Sequence, residues 1–485
     1  MTPRLLPLLL AAATLAGCDL APHYRRPAPA TPAAFPQGPA YPALSASAGD
    51  PTTIGWRDFF TDPRLQKTIA LGLANNRDLQ AAAANVLAAR AQYRVQRADL
   101  LPTIGATADA SISHAGSRAA AGTGTGGAGA GGGGTVHRYS VDVGFSAFEL
   151  DLFGRVRNLS KAALERYFST RSAQDSVRIS LIAELATAWL TLAADQDQLR
   201  LSQETLKSYE QSLGLTRAQF GHGIVSELDV QQAETNVQTA RYDVAQLTTQ
   251  IAQDQNALDL LAGTTVPADL LPTGLGAGDY TMANLPAGLS SAVLLKRPDV
   301  LSAEHELKAD NADIGAARAA FFPQISLTAA AGTASTALGG LFSAGSFTWS
   351  GSGSGLLSIF DFGRNRANLH YAEAERKAAV ANYQKAVQTA FREVSDALAT
   401  RGTIGTQLDA AAARAAAARK AAMLSEARYR NGIDPFLTTL IAQRSLYGAQ
   451  QQLTLTRLTH EANLVELYRA LGGGLQEGAG TNPAE

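Results

Sequence analysis

The chain carries nearly every feature twice, and that duplication limits its architecture more than any other property. Leu101-Pro102-Thr103-Ile104 reappears as Phe322-Pro323-Gln324-Ile325, 221 residues later. Phe153-Gly154-Arg155 reappears as Phe362-Gly363-Arg364, and Gly223-Ile224 as Gly432-Ile433, both 209 residues later. The 12-residue difference between the offsets falls in a glycine-rich insertion between Pro102 and Gly154. Each copy reads as helix, strand pair, long helix, glycine turn and helix. Such a repeat demands internal two-fold architecture.

The strands show where that architecture resides. Ile104, Ala106, Ala108, Ala110 and Ile112 alternate with Thr103, Gly105, Thr107, Asp109, Ser111 and Ser113. Tyr139, Val141, Val143 and Phe145 alternate with Ser140, Asp142, Gly144 and Ser146. In the second copy Ile325, Leu327 and Ala329 alternate with polar residues, as do Phe347 and Trp349. A period of two gives one apolar and one polar face. A soluble sheet with one covered face is one explanation. The other is an outer-membrane barrel, apolar toward lipid and polar toward a lumen. The polar faces favour the barrel, because they carry small hydroxyls, glycine and Asp in place of a Lys/Glu mix. Tyr139, Phe342 and Trp349 sit where an interfacial belt is expected. Asp109 and Asp142 are candidate lumen-facing residues for ion selectivity, with a generic wet lining as the plainer alternative. Four strands cannot close a barrel, and an open pore needs more than about eight. The count therefore predicts at least a trimer.

The helices are patterned for coiled-coil packing. Leucines stand at 185, 192, 199, 206 and 213. Val230, Val237, Val244, Ile251 and Leu258 repeat the spacing of seven, with Ala233, Ala240, Leu247 and Leu261 at the companion positions. That repeat predicts left-handed packing. A helix over 155–213 would reach roughly 90 Å, and shorter helices over 65–101 and 227–262 roughly 55 Å each.

The N-terminus reads as a targeting segment. Arg4 precedes a short apolar run, and Leu15-Ala16-Gly17-Cys18 resembles a bacterial lipobox, which makes Cys18 the expected lipidation site. Cys18 is the only cysteine, so no intrachain disulfide or Cys-based metal site is expected. Past that segment no uncharged apolar run reaches 18 residues, so any membrane span must be made of strands. The net charge of −1 gives no footprint for nucleic acid. Asp361-Phe362-Gly363 lacks the rest of a kinase signature. Gly122, Gly124 and Gly127 lie in a glycine tract, and the seven histidines form no zinc pair. No catalytic residue, metal or cofactor is expected.

Further segments carry a family resemblance. Cys18 to Pro27, Trp56 to Leu65, Asn76-Arg77-Asp78-Leu79, Lys296-Arg297-Pro298-Asp299-Val300, Gln443-Arg444-Ser445-Leu446 and Leu467 to Gly474 resemble the TolC-like outer-membrane factors. The closest likeness is to the lipoprotein branch serving resistance–nodulation–division (RND) efflux pumps. The resemblance implies a mainly α chain with transmembrane β structure, forming a homotrimeric 12-stranded β-barrel continued by a long α-helical coiled-coil barrel. It implies an acylated outer-membrane lipoprotein of a Gram-negative bacterium that extends into the periplasm. It works as a passive export duct for drugs or other small toxic compounds. Its partners are outer-membrane lipid, a periplasmic adaptor and an inner-membrane RND pump. It implies no enzyme. A channel for type I protein secretion and a lipid-anchored scaffold without a pore remain alternatives.

The expected organisation is a signal peptide (1–17), a lipidated segment with equatorial contacts (18–64), a first repeat (65–262, hairpin about 103–153), a linker (263–296), a second repeat (297–473, hairpin about 324–362) and a tail (474–485). Asp19 follows the lipidated cysteine, a position that in some bacteria retains lipoproteins at the inner membrane. A transmembrane barrel should override it. Family members often close the periplasmic end with acidic residues beyond the last glycine turn, but here the matching positions are Thr438 and Ile441. The expected constriction is therefore Ile441 with Thr438, or failing that Ser226 and Asp229 beside the Gly223 turn.

Overall fold

The structure, a computed structural model, describes residues 19–28, 30–42, 53–115, 134–276, 280–281 and 290–478. In chain order the helices are α1 (Trp56–Phe59), α2 (Pro63–Asn75) and α3 (Arg77–Ala98), then α4 (Arg155–Gly221) and α5 (Glu227–Ala262), then α6 (Pro298–Ala319), α7 (Arg364–Arg430) and α8 (Phe436–Ala470). The strands are β1 (Gly105–Ala115), β2 (Gly134–Leu150), β3 (Gln324–Ser335) and β4 (Phe347–Leu356). The described chain forms two compact units. One comprises residues up to Arg26, Leu87–Phe168 and His305–Ala381, and the other comprises Pro27–Val86, Ser169–Glu304 and Asn382 onward.

In the first unit the two hairpins form one antiparallel sheet in the order β1-β2-β3-β4. The β2–β3 pairing joins the two repeats, with Val143 opposite Ala331 and Leu150 opposite Ile325. Phe153 and Phe322, from different repeats, stack below it with ring centroids 4.6 Å apart. β1 and β4 are the outer strands of this sheet.

The second unit holds the main apolar core. Trp56, Phe59, Leu65, Ile69, Leu185, Trp189, Leu192, Leu258 and Tyr468 are buried together. Phe59 stacks on Tyr468 at 4.0 Å, and the Tyr468 hydroxyl donates to the Ile54 carbonyl at 2.7 Å. The heptad positions Leu185, Leu192, Leu213, Val237 and Leu258 are all buried, as a packed seam requires. α4 contains a window apolar enough to cross a membrane by length and composition, but 61% of that window is buried inside the protein. Packing of Leu185, Trp189 and Leu192 in the core accounts for its apolarity.

The helix expected over 65–101 is interrupted. Asn76 leaves the helical conformation between α2 and α3, and its side-chain oxygen accepts from Leu79 N at 2.8 Å. An Asn with this geometry caps a new helix. At the start of α2, Asp62 accepts from Arg64 N at 2.7 Å and Pro63 fills the first helical position.

Candidate functional site

The sheet has the two faces that the alternation calls for. Directly paired residues share a face. Ala106 pairs with Val143, Ala108 with Val141 and Ala110 with Tyr139. Ala331 pairs with Trp349 and Thr333 with Phe347. This face is apolar, and Ile112, Val143, Phe347 and Trp349 are exposed on it. On the opposite face Thr107 pairs with Asp142 and Asp109 with Ser140. Thr328 pairs with Ser352, and Ser326 with Ser354. Asp109 and Asp142 therefore share one face with hydroxyls and glycine. Gly332 pairs with Asp142, and a Cβ there would come within 2.6 Å of Asp142 Oδ1. A larger residue at 332 would strike the Val141 carbonyl first, at 2.0 Å, and force the β2–β3 pairing apart there.

A β-bulge keeps the faces consistent. Phe145 pairs with Ala329, and Phe148 pairs with Leu327. Three residues on β2 thus span two on β3. Within the bulge Ala147 adopts φ 54, and its N–H donates to Thr328 Oγ1 at 3.1 Å. Without the bulge the same residues would place Glu149 opposite Ile325 on the apolar face. With it, Phe148 and Leu150 stay on that face, and Glu149 pairs with Ser326 on the polar one. Arg155 Nε then donates to Glu149 Oε1 at 2.7 Å. Simple alternation gives no sign of this shift.

The segment after Cys18 is docked on the same unit. Cys18 itself lies outside the described residues. The Asp19 carboxylate accepts from Ala21 N and from Asn158 Nδ2, both at 3.0 Å. Burial pushes its pKa up, but these hydrogen bonds outweigh burial and hold it below the ordinary value. Asn311 Nδ2 donates to the Pro22 carbonyl at 2.6 Å, and Arg318 Nη1 donates to the Leu20 carbonyl at 3.2 Å.

The helix turns of the second unit carry the remaining candidates. Gly223 and Gly432 both sit in the left-handed region, at φ 70 and 68, where the chain reverses. Ser226 and Asp229 form a capping box at the start of α5. Asp229 N donates to Ser226 Oγ at 3.3 Å, and Ser226 N donates to Asp229 Oδ2 at 3.0 Å. Both side chains are engaged with each other and with the helix end. The second copy replaces this box with Pro435 and an Arg428–Asp434 ion pair at 2.6 Å.

α8 divides cleanly at this end. Phe436 and Leu440 are buried with Tyr209, Leu213, Val237 and Ala240. Thr439 accepts from Ser425 Oγ at 3.3 Å. Thr438 and Ile441 point away from this core, and Ile441 is 55% exposed. Leu437, 46% exposed, stands one turn before Ile441, so two apolar residues share a bare face beside one hydroxyl.

Two polar groupings lie in the helical body and have no sequence motif. Ser202 and Tyr447 share a buried hydrogen bond at 2.7 Å, and the Tyr447 hydroxyl donates to Asp243 at 2.8 Å. Asp195 has its pKa pushed up to about 7 by burial, with Asp254 adding a hydrogen bond and a like charge. The heptad leucines 192 and 199 flank Asp195, so the pattern marks its helix without marking its partner.

Comparison with known proteins places this geometry. A family model described as outer membrane efflux protein matches residues 68–264 and 289–473. The toluene efflux pump outer membrane protein TtgC of Pseudomonas putida is 47% identical over 481 residues, covering 99% of this chain and 97% of that protein. The outer membrane protein OprJ of Pseudomonas aeruginosa is 40% identical over 476 residues, covering 97% and 96%. Among solved structures, the open state of the Neisseria gonorrhoeae MtrE outer membrane channel aligns with a TM-score of 0.84 and 37% identity, over 96% of this chain and 100% of that one.

Proposed function

The chain belongs to the outer membrane efflux protein family, and from that premise we propose that three copies form one export duct through the outer membrane and periplasm. It is an outer-membrane efflux channel protein. The observation that carries the assembly is the sheet of β1–β4, with a lipid-compatible face, a hydrophilic face and an open edge at each end. An unpaired edge cannot stand in hydrocarbon, because its backbone groups have no partner there. Three copies of a four-stranded sheet give twelve strands, enough for a water-filled lumen. Asp109 and Asp142 line that lumen, and Cys18 carries the acyl anchor.

In this reading the duct performs no chemistry. A periplasmic adaptor and an inner-membrane RND pump supply cargo and energy, and the helical end opens when they dock. Ile441, with Thr438, forms the resting constriction as an apolar ring that excludes water. The cargo class is small toxic organic compounds, because relatives spanning nearly the same length are named for export of toluene, solvents and antibiotics.

Deleting the gene and restoring it on a plasmid tests the role. The expected result is lower tolerance to aromatic solvents and amphiphilic antibiotics, restored by the full chain, with secreted proteins unchanged. Unaltered tolerance together with a lost secreted protein would contradict the efflux role and favour protein export.

A further inference from the structure

Every Asp, Glu, Lys or Arg of the four strands stands on one face of the sheet. These residues are Asp109, Arg138, Asp142 and Glu149, and all belong to the first repeat. Arg138 pairs with Ser111, Asp109 with Ser140 and Asp142 with Thr107. Glu149 pairs with Ser326. Directly paired residues share a face, so all four stand with the hydroxyls. β3 and β4 contribute no charge.

Their order along the strands is fixed. β1 follows α3 and begins at Gly105, and β2 ends at Leu150 and leads into α4, so the helices mark one end of the sheet. Counting away from that end, the face presents Glu149, then Asp142, then Asp109, then Arg138. Each of the last two steps is two residues, roughly 7 Å along a strand. A guanidinium is thus outermost, with two carboxylates behind it.

The guanidinium keeps its charge to itself. Glu149 is held by Arg155, whose Nε donates to it at 2.7 Å. Arg138 is exposed and finds no such partner among the described residues. The cavity that it borders is lined by Ser335, Thr336, Ser343 and Ser346, with no carboxylate. Neither connecting segment at that end, 116–133 or 336–346, contains an acid.

We propose that Arg138 sets the charge selectivity of the outer mouth. The proposal rests on the trimeric pore reading and adds an opposing ring to it. Three guanidiniums stand at the mouth, ahead of the rings of Asp142 and Asp109. Rings of one sign decide which charged species pass. A cation arriving from the helical end meets the acids first. A cation arriving from outside meets the guanidiniums first and is held off, while an anion is drawn in. Cationic cargo, once released, therefore faces a like charge at the mouth.

Thiol labelling of the purified full-length chain tests this. Cys18 is the only native cysteine and is acylated in this reading, so Ser140→Cys supplies one free thiol, opposite Asp109. A cationic and an anionic methanethiosulfonate of similar size are compared in about 0.01 M salt. The ratio of their rates reports the local potential, because a change in the thiolate fraction alters both rates alike. Adding Arg138→Gln should raise the cationic-to-anionic ratio about five-fold, and salt at about 1 M should erase most of that change. Arg138→Lys should keep the original ratio, and Asp109→Asn should lower it.

An unchanged or lower ratio on Arg138→Gln overturns the role of Arg138 and leaves the lumen standing. That result is the one expected if the side chain leans out to lipid phosphate. Val141→Cys, on the opposite face, should react with neither reagent. Equal reactivity of the two thiols, or a Ser140→Cys thiol inert to both reagents in a preparation of trimer mass, overturns the lumen reading and the proposal with it. If Ser140→Cys does not assemble, Ser111→Cys, opposite Arg138, replaces it with the same expected changes.

Discussion

The side-chain amide of Asn76 donates to the carbonyl of Leu261 at 2.9 Å, tying the break between α2 and α3 to the end of α5. The second repeat makes the same tie with a different residue. Arg297, the counterpart of Asn76, donates to the carbonyl of Ala470, the counterpart of Leu261, at 2.6 Å. Both bonds satisfy a carbonyl that a helix end leaves unpaired. Arg297 also pairs with Asp299 at 2.7 Å and Glu393 at 2.9 Å while almost fully buried.

The two ties should differ in strength. Asn76→Ala loses a cap and one hydrogen bond, an expected cost of about 1–2 kcal/mol. Arg297→Ala removes the bond to Ala470 and both of its ion pairs, while Glu393 keeps Arg469 at 3.5 Å and Asp299 reaches solvent, an expected cost of about 2–3 kcal/mol. Thermal dissociation of the two purified variants checks the order. Equal losses would contradict the account of Arg297.

Deleting Ala147 should remove the bulge and straighten β2 while Phe148 and Leu150 stay on the apolar face and Glu149 stays opposite Ser326, because the deleted residue is the extra one. The expected outcome is an oligomer that still reaches the outer-membrane fraction and dissociates at a lower temperature, and its complete loss with normal synthesis would contradict this register. Ala147→Gly keeps the residue count and permits φ 54, so assembly should be retained.

These elements differ in how plainly the sequence carries them. The duplication, the leucine seam and the two faces of β1 were legible, because a period of two or seven persists over many residues. The bulge was not, since one inserted residue leaves the alternation intact on either side of it. The break at Asn76 escaped the periodicity because neither glycine nor proline marks it, although the family resemblance of Asn76-Arg77-Asp78-Leu79 implies a helix start there, as Pro298 marks one in the second copy. Ser226 and Asp229 read as candidates for a constriction, but their spacing of three is also that of a capping box, and the structure shows them in that box. Asp195 and Asp254 come together only through helix packing.

At the tip, Ile441→Asp should raise resting conductance, since three like charges on one ring repel and admit water. Ser226→Ala should leave conductance unchanged and cost about 1 kcal/mol of stability through the lost cap. Both follow from planar-bilayer recordings and thermal scans of the same preparations. Unchanged conductance in Ile441→Asp would make Ile441 a packing residue.

The Asp195 carboxyl, pushed up to about 7 by burial and Asp254, makes stability depend on pH. Its folded pKa lies above the ordinary 3.8. The contribution is therefore full below about pH 4 and is lost as pH rises through about 7. Both carboxylates keep partial solvent contact, so the effect is about 1 kcal/mol. The apparent Tm should fall by about 1 °C between pH 4 and pH 7. Asp254→Asn should flatten that slope, and an unchanged slope would remove the pair from the explanation.

Cys18→Ser should abolish acylation yet leave the oligomer in the membrane, because the strands carry the span and the lipid adds a tether. Metabolic labelling with radioactive palmitate and native electrophoresis check the two halves separately. Loss of both would make the anchor a condition of assembly.

Single-channel recording on the purified wild-type chain, with native mass determined on the same sample, tests the central claim most directly. The account predicts a trimer that inserts into a planar bilayer and gives discrete steps, with reduced cation preference when Asp109 and Asp142 are both changed to Asn. A monomer that still conducts, or a trimer that inserts without conductance even after Ile441→Asp, would contradict it.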